Sequence, residues 1–187
     1  MTKIIAICGL MRSGKDTIAD YISKRNGYTK VHIADTLKKT MHVMFGFTHE
    51  QLEGNNKDII DPNWGISPRS AMQFFGTEIM QYKIQELLPD IGRTFWIASL
   101  VSSLKKNPEN SYIISDLRFI HEYNYLKENY KSVYIIKVTN PNTKTSYYHS
   151  HNSEQEFKRI PEDIHISNDS DLADLYKKID EILSQIE

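Results

Sequence analysis

Nine consecutive residues, Gly9-Leu10-Met11-Arg12-Ser13-Gly14-Lys15-Asp16-Thr17, carry the densest chemistry in the chain. They follow an apolar run, Lys3–Cys8, and lead into an amphipathic stretch that starts at Asp16. Strand, glycine-bounded loop, then helix is the order that a phosphate-binding loop requires. Gly9 and Gly14 permit a tight turn that aims successive N–H groups, that of Ser13 among them, at one anion. The helix N-terminus adds partial positive charge there. Lys15 has the reach to meet β- and γ-phosphates, and Arg12 would add a planar, permanent cation beside a phosphoryl group in transit. Where such loops place a hydroxyl for Mg²⁺ directly after the lysine, this chain has Asp16, and the hydroxyl follows as Thr17. A carboxylate beside a polyphosphate is repulsive unless a cation intervenes. Asp16 and Thr17 are therefore the candidate Mg²⁺ ligands, with Asp16 alternatively a general base facing an acceptor.

Further charges are spaced as a second anion site would need. Arg69 falls in the first turn after Ser67-Pro68, a helix start, and a cation there opposes the helix dipole, which favours an anionic partner. Lys38 follows Asp35 at a strand exit and lies on the polar side of Leu37 and Met41. Ser115-Asp116-Leu117-Arg118-Phe119 follows the buried run Tyr112-Ile113-Ile114. Ligands of parallel sheets bind beyond the carboxyl ends of the strands, so Asp116 and Arg118 are expected at the edge that carries the glycine loop. Glu122, one turn into the next helix, is expected to turn back toward them; a structural Asp116–Arg118 ion pair is the plainer alternative. Gly76 interrupts a helical stretch at a cost of about 1 kcal/mol relative to alanine, as close approach of a ligand, another backbone or a tightly packed helix would require. Trp96, beside the apolar stripe of its helix, reads either as a base-stacking face or as a core residue. Cys8 reads as a small core residue.

The framework follows from hydrophobic pattern. Lys3–Cys8, Tyr28–Ile33, Tyr112–Ser115, Val133–Val138 and, more weakly, Ile164–Ser167 read as strands. Helical periodicity predicts helices over Asp16–Arg25, stopped by Asn26-Gly27; over Thr36–Phe45, stopped by Gly46; and a short one after Thr48, which has capping-box spacing. It also predicts a helix from Ser67 to about Leu88, one over Thr94–Lys105, one through Phe119 to Tyr130, and a last one from Leu172 to Ile186. Strands alternating with helices imply parallel pairing, hence an α/β three-layer sandwich. Two intervals break the alternation: about 36–107, almost wholly helical, and about 139–159, polar and histidine-bearing. On an α/β sheet such excursions serve as substrate-binding arms or lids.

The chain has 187 residues, enough for one domain, with 40% apolar and 11% aromatic residues. Its 23 basic and 24 acidic residues leave a net charge of −1, which argues against bulk nucleic-acid binding through a general basic field. A single cysteine excludes an internal disulfide and suits a reducing compartment, and no apolar run has the length of a membrane span. A soluble cytoplasmic protein is expected.

Taken together, GLMRSGKDT, Asp35-Thr36-Leu37-Lys38, PRSAMQFFGTE, Phe95-Trp96, ISDLRFIHE and His151-Asn152-Ser153-Glu154 resemble the deoxynucleoside monophosphate kinases of large DNA viruses and bacteriophages. These belong to the nucleoside monophosphate kinase group of P-loop folds. The motifs occur in the family's order and span most of the chain; GKDT, DLRF and QFFGTE are specific as a set and weak singly. The resemblance implies a five-stranded parallel sheet, Mg·ATP as phosphoryl donor, and a nucleoside monophosphate acceptor held by Lys38, Arg69, Trp96, Asp116, Arg118 and Glu122. It implies a single kinase domain over residues 1–187, with about 36–107 as acceptor arm and about 139–159 as lid; a homodimer is left open. The chain departs from the family at Met11, where some members have a second basic residue. The lid-like segment also has Lys144, His149 and His151 in place of an arginine cluster. Two other readings compete. A phosphomevalonate-kinase-like enzyme shares the GKD loop, but its acceptor calls for more arginines in the arm. A nucleotide-dependent binding switch needs no acceptor site.

Overall fold

A computed structural model describes residues 2–142 and 156–186; Lys144, His149, His151 and the rest of the segment 143–155 lie outside the described residues. The chain forms two compact units, Met1–His32 with Ser103–Glu187, and Ile33–Ser102.

The first unit is organised by a parallel sheet in the order β2-β3-β1-β4-β5. Its strands are β1 (Ile4–Gly9), β2 (Thr29–Val31), β3 (Tyr112–Ile114), β4 (Val133–Thr139) and β5 (Ile164–Ser167). β1 is central because its residues are apolar without alternation: Ile4 to Cys8 are all fully buried, so both faces of the strand are covered. Ile5 stands level with Ile113 on one side, and Ile7 with Ile136 on the other. Helix α1 (Lys15–Asn26) lays Ile18, Ala19 and Ile22 on one sheet face, and Gly27 ends it in the left-handed conformation. The last helix of the fold (Leu172–Ile186) adds Leu175, Ile179 and Leu183 to the same core as Ile5, Ile7, Val138 and Ile166. The β3-to-β4 crossover passes through a helix over Ile120–Asn129, and its right-handedness puts that helix on the opposite face. The result is the three-layer α/β fold that the pattern predicts. β2 is shorter than its apolar run, as befits an edge strand paired only with β3. Cys8 is buried, and burial pushes its thiol up to about 11, which suits a core residue.

The second unit is helical. It contains α2 (Asp35–Phe45), α3 (His49–Leu52), a 3₁₀ turn (Asn55–Asp58), α4 (Pro68–Gln73) and the start of α5 (Phe95–Leu104), the helix that leads back to the first unit. The two helices of the first unit that follow are accordingly α6 (Ile120–Asn129) and α7 (Leu172–Ile186). α3 starts at a complete capping box, in which the Thr48 side chain accepts from Gln51 N and Gln51 Oε1 accepts from Thr48 N. α4 starts at Ser67, whose Oγ accepts from Ser70 N.

One expectation fails here. The predicted continuous helix from Ser67 to about Leu88 is α-helical for six residues, then a π-helix over Phe74–Tyr82, then a 3₁₀ turn over Lys83–Glu86. Two contacts meet at Gly76, inside the π-helical stretch. The Trp96 indole N–H donates to Gly76 O at 2.9 Å. A Cβ on Gly76 would lie 2.7 Å from Leu37 Cδ2. The glycine therefore serves a tight side-chain contact from α2. Among the described residues no helix is long and apolar enough to cross a membrane.

Candidate active site

β1 delivers the chain into the loop at Gly9, and the loop closes through backbone conformations that favour glycine. Gly9 has φ 150° and Gly14 φ 104°, while Arg12 adopts φ 65° with its side chain exposed. A non-glycine residue in the left-handed region costs about 1 kcal/mol or more, and such strain concentrates at functional positions. Lys15 Nζ donates to Gly9 O at 2.9 Å and to Leu10 O at 2.6 Å, so the ammonium folds over the loop. Ser13 is fully buried, and its Oγ has no hydrogen-bond partner among the described residues. Asn168, directly after β5, donates from Nδ2 to Ser13 O at 2.9 Å. Pattern reading missed this anchor, because Asn168 is far along the chain and carries no local signal.

Asp16 has company that its sequence neighbours do not reveal. Ser115 Oγ donates to Asp16 Oδ1 at 2.9 Å, and Lys30 Nζ lies 3.2 Å and His32 Nε2 3.9 Å from the same oxygen. Lys30 also bonds Asp20 at 2.9 Å. His32 foremost, with Ser115 and Lys30, holds the Asp16 carboxyl well below the usual carboxylate range. A group held that low is a poor proton acceptor at neutral pH, which weakens the general-base role. The alternation of Lys30 and His32 about β2 put both on one face, and that spacing was the available clue.

Asp16 and half-buried Thr17 present hard oxygen donors, the chemistry Mg²⁺ prefers. Among the described residues no group of three or more His, Cys, Asp or Glu side chains could hold a metal ion. A cation at Asp16 and Thr17 would thus complete its shell with phosphate oxygens and water, as Mg²⁺ in nucleotide sites does.

The segment after β3 stands at the same edge. Leu117 N–H bonds Ile7 O at 3.2 Å, fastening the segment beside β1, and Ser115 joins it to Asp16. Asp116 is half-buried and Arg118 is exposed. Glu122 is buried, and its Oε2 accepts from the N–H groups of Arg118 at 2.9 Å and Phe119 at 3.0 Å. It turns back toward the segment as expected, yet it meets backbone: it shapes the Asp116–Arg118 loop from beneath.

Burial pushes the Glu122 carboxyl up to about 8, with Asp116 adding to the shift and the two N–H bonds and Arg118 opposing it. The folded chain holds this proton more tightly than the unfolded chain, where the group titrates near 4.5. The group's contribution to stability is therefore full below about 4.5 and is lost as pH rises toward about 8. Glu122→Gln keeps an acceptor oxygen without the ionisation. The expected outcome is a thermal midpoint whose fall between those pH values is smaller than in the wild type; parallel profiles of the two proteins would contradict it.

In the second unit the expected acceptor cations already have carboxylate partners. Arg69 grips Asp58 side-on, Nε to Oδ1 at 2.6 Å and Nη2 to Oδ2 at 3.2 Å. Lys38 Nζ bonds Glu53 Oε2 at 2.8 Å. Trp96 is buried, stacked edge-on against Phe95 and bonded to Gly76 O, so it serves as a core residue shaping the π-helix and presents no open face for a base.

A sequence model described as deoxynucleotide monophosphate kinase matches residues 3–58 and 43–179. A protein of Acanthamoeba polyphaga mimivirus, named provisionally as a deoxynucleotide monophosphate kinase, is 30% identical over 187 residues, covering 94% of this chain and 93% of that protein. Among solved structures, shikimate kinase from Aquifex aeolicus superposes with a TM-score of 0.53 at 15% identity, covering 97% of this chain and 96% of its own. Dephospho-CoA kinase from Campylobacter jejuni gives 0.53 at 12% identity, covering 100% and 98%. At those identities the two structures speak to the fold alone.

Proposed function

The chain belongs to the deoxynucleotide monophosphate kinase family, and on that premise we propose that it moves the γ-phosphoryl group of ATP to a deoxynucleoside 5′-monophosphate, giving ADP and the deoxynucleoside diphosphate. The observation that carries this reading is the loop Gly9–Lys15, with Lys15 folded over it and Asp16 tied to the segment after β3.

In this mechanism the loop N–H groups and Lys15 hold the β- and γ-phosphates, and Arg12 flanks the group in transit. An acceptor phosphate oxygen forms the new bond to the γ-phosphorus as the bond from that phosphorus to the β,γ-bridging oxygen breaks. The second ionisation of a phosphate monoester falls near pH 6, so the attacking oxygen is already negative at neutral pH. No proton need be removed, which agrees with an Asp16 held ionised. When bound, Mg²⁺ at Asp16 and Thr17 would offset the charge of the phosphate oxygens. The second unit is the acceptor arm in this reading. Within that arm Lys38 and Arg69 serve as acceptor-phosphate cations and Trp96 holds the arm's own shape. In the first unit Asp116 and Arg118 serve as acceptor-binding residues, and Glu122 shapes their loop. The lid that the resemblance implies over about 139–159 falls mostly on residues outside those described.

A matrix of the four common deoxynucleoside monophosphates and their four ribonucleotide counterparts with Mg·ATP, read as ADP formed, tests the proposal. Turnover of one or more deoxynucleotides above its ribose counterpart is expected. Turnover of phosphomevalonate and of no deoxynucleotide would replace the reading with that of another small-molecule kinase, and a ribose preference would overturn the deoxynucleotide assignment.

A further inference from the structure

Lys38 and Arg69 are 31 positions apart, yet both are neutralised from one six-residue segment, Glu53-Gly54-Asn55-Asn56-Lys57-Asp58. The segment is built to present those two carboxylates. Glu50 reaches beneath it and accepts from Asn55 N at 2.8 Å, and its carboxyl sits where a Cβ on Gly54 would be, 2.2 Å away, so a side chain at position 54 would have to push Glu50 aside. Downstream, Asp61 is buried and bonded by Gln51 Nε2 at 2.8 Å and by Asn63 N at 2.9 Å, which fixes the far end. Both ion pairs remain partly exposed, with side-chain exposures of 17% and 36% for Lys38–Glu53 and 30% and 47% for Arg69–Asp58. Pairs of that exposure exchange readily for a better anion.

The charge count suggests which anion. Two carboxylates carry −2, and a phosphate monoester at neutral pH carries about −1.5 to −2. We propose that Glu53 and Asp58 are intramolecular stand-ins for the acceptor's phosphate. They hold Lys38 and Arg69 in place without net charge, and a nucleoside monophosphate binds by displacing them. This inference rests on the reading of Lys38 and Arg69 as acceptor-phosphate cations. It makes Glu53 and Asp58 determinants of acceptor affinity: a phosphate dianion competes with them on equal charge, whereas an unphosphorylated nucleoside has nothing to exchange.

The test measures KM for the deoxynucleoside monophosphate that the wild type turns over fastest, in Asp58→Asn, Glu53→Gln and the double variant. Each single substitution is expected to lower that KM by roughly two- to fivefold, the range an exposed ion pair allows. KM for ATP should not change, nor should the affinity for the matching deoxynucleoside without phosphate. An acceptor KM that is unchanged or raised in both single variants overturns the inference, a rise meaning that the carboxylates position the cations. Thermal midpoints accompany each measurement, and if Asp58→Asn does not fold, Glu53→Gln decides. Arg69→Ala separates the two levels of the argument. If it raises the acceptor KM while the carboxylate variants do not lower it, only the stand-in role fails. If it leaves the acceptor KM unchanged, the acceptor-site reading fails, and the inference with it.

Discussion

Lys15→Ala is expected to lower kcat/KM for phosphoryl transfer by about 10²–10³-fold, the usual cost of removing one preorganised donor from a developing anionic charge. The ammonium is bonded to Gly9 O and Leu10 O, so it is already turned over the concave side of the loop. A polyphosphate in the loop would receive these N–H donors in place of the two carbonyls, with no rearrangement of the backbone. Lys15 is half-buried and is not one of the buried core residues, so the alanine variant should still fold, with at most a modest fall in thermal midpoint from the lost bonds to Gly9 O and Leu10 O. Steady-state kinetics with saturating acceptor and a titration of ATP binding separate the loss in turnover from the loss in affinity. A fall of tenfold or less would mean that Lys15 does not touch the transferred group. Lys15→Arg is not expected to rescue, because a planar guanidinium cannot enter the space that a compact ammonium fills.

Gly9→Ala attacks the same loop through its backbone and is expected to cost about 3 kcal/mol of stability, combining a disfavoured φ with overpacking. At φ 150° a Cβ would stand 2.4 Å from Val138 O. That oxygen belongs to β4, which pairs with β1 along Ile4 to Gly9 and with β5 beyond, so it cannot recede without disturbing two strand pairings. Gly14 makes a useful contrast. Its φ of 104° is also unfavourable to other residues, but a Cβ there would meet the Asn168 side chain at 2.5 Å, and a side chain can swing away. Denaturant midpoints of the Gly9 variant against wild type provide the measurement. A loss well under 1 kcal/mol would contradict the close approach of loop and strand.

What could be read from the chain before folding it was whatever depends on near neighbours. The loop Gly9–Thr17 was legible because its strand, its glycines, its lysine and its helix are contiguous. β1 and β3 were legible because strands covered on both faces demand uninterrupted apolar runs. The edge strands β2 and β5 carry Lys30 and His165 and were marked only by β-branched neighbours. Gly27 and Gly46 marked helix ends through a conformation glycine alone adopts freely. Ser67-Pro68 marked the start of α4 equally well. Its continuation departs from the expected α-helix, and periodicity cannot register the contact that Gly76 O makes with an indole 20 positions away.

The motifs of the chain determined by themselves its class of chemistry and the α/β alternation that supports it. Partners of charge were decided only by the tertiary structure. Asp16 asks for a cation in any reading of the sequence, but that Lys30 supplies one with His32 beside it, and that Ser115, 99 positions away, donates to the same oxygen, depends on β2 and β3 lying side by side at one edge of the sheet. Arg69 and Lys38 likewise announce an anion, whereas their answer from Asp58 and Glu53 depends on how the helices of the second unit pack. Caps, turns and periodicity act over a few residues and can be read in order. The neutralisation of a charge is settled by whichever groups folding brings within about 4 Å, and strand order and helix packing set that list.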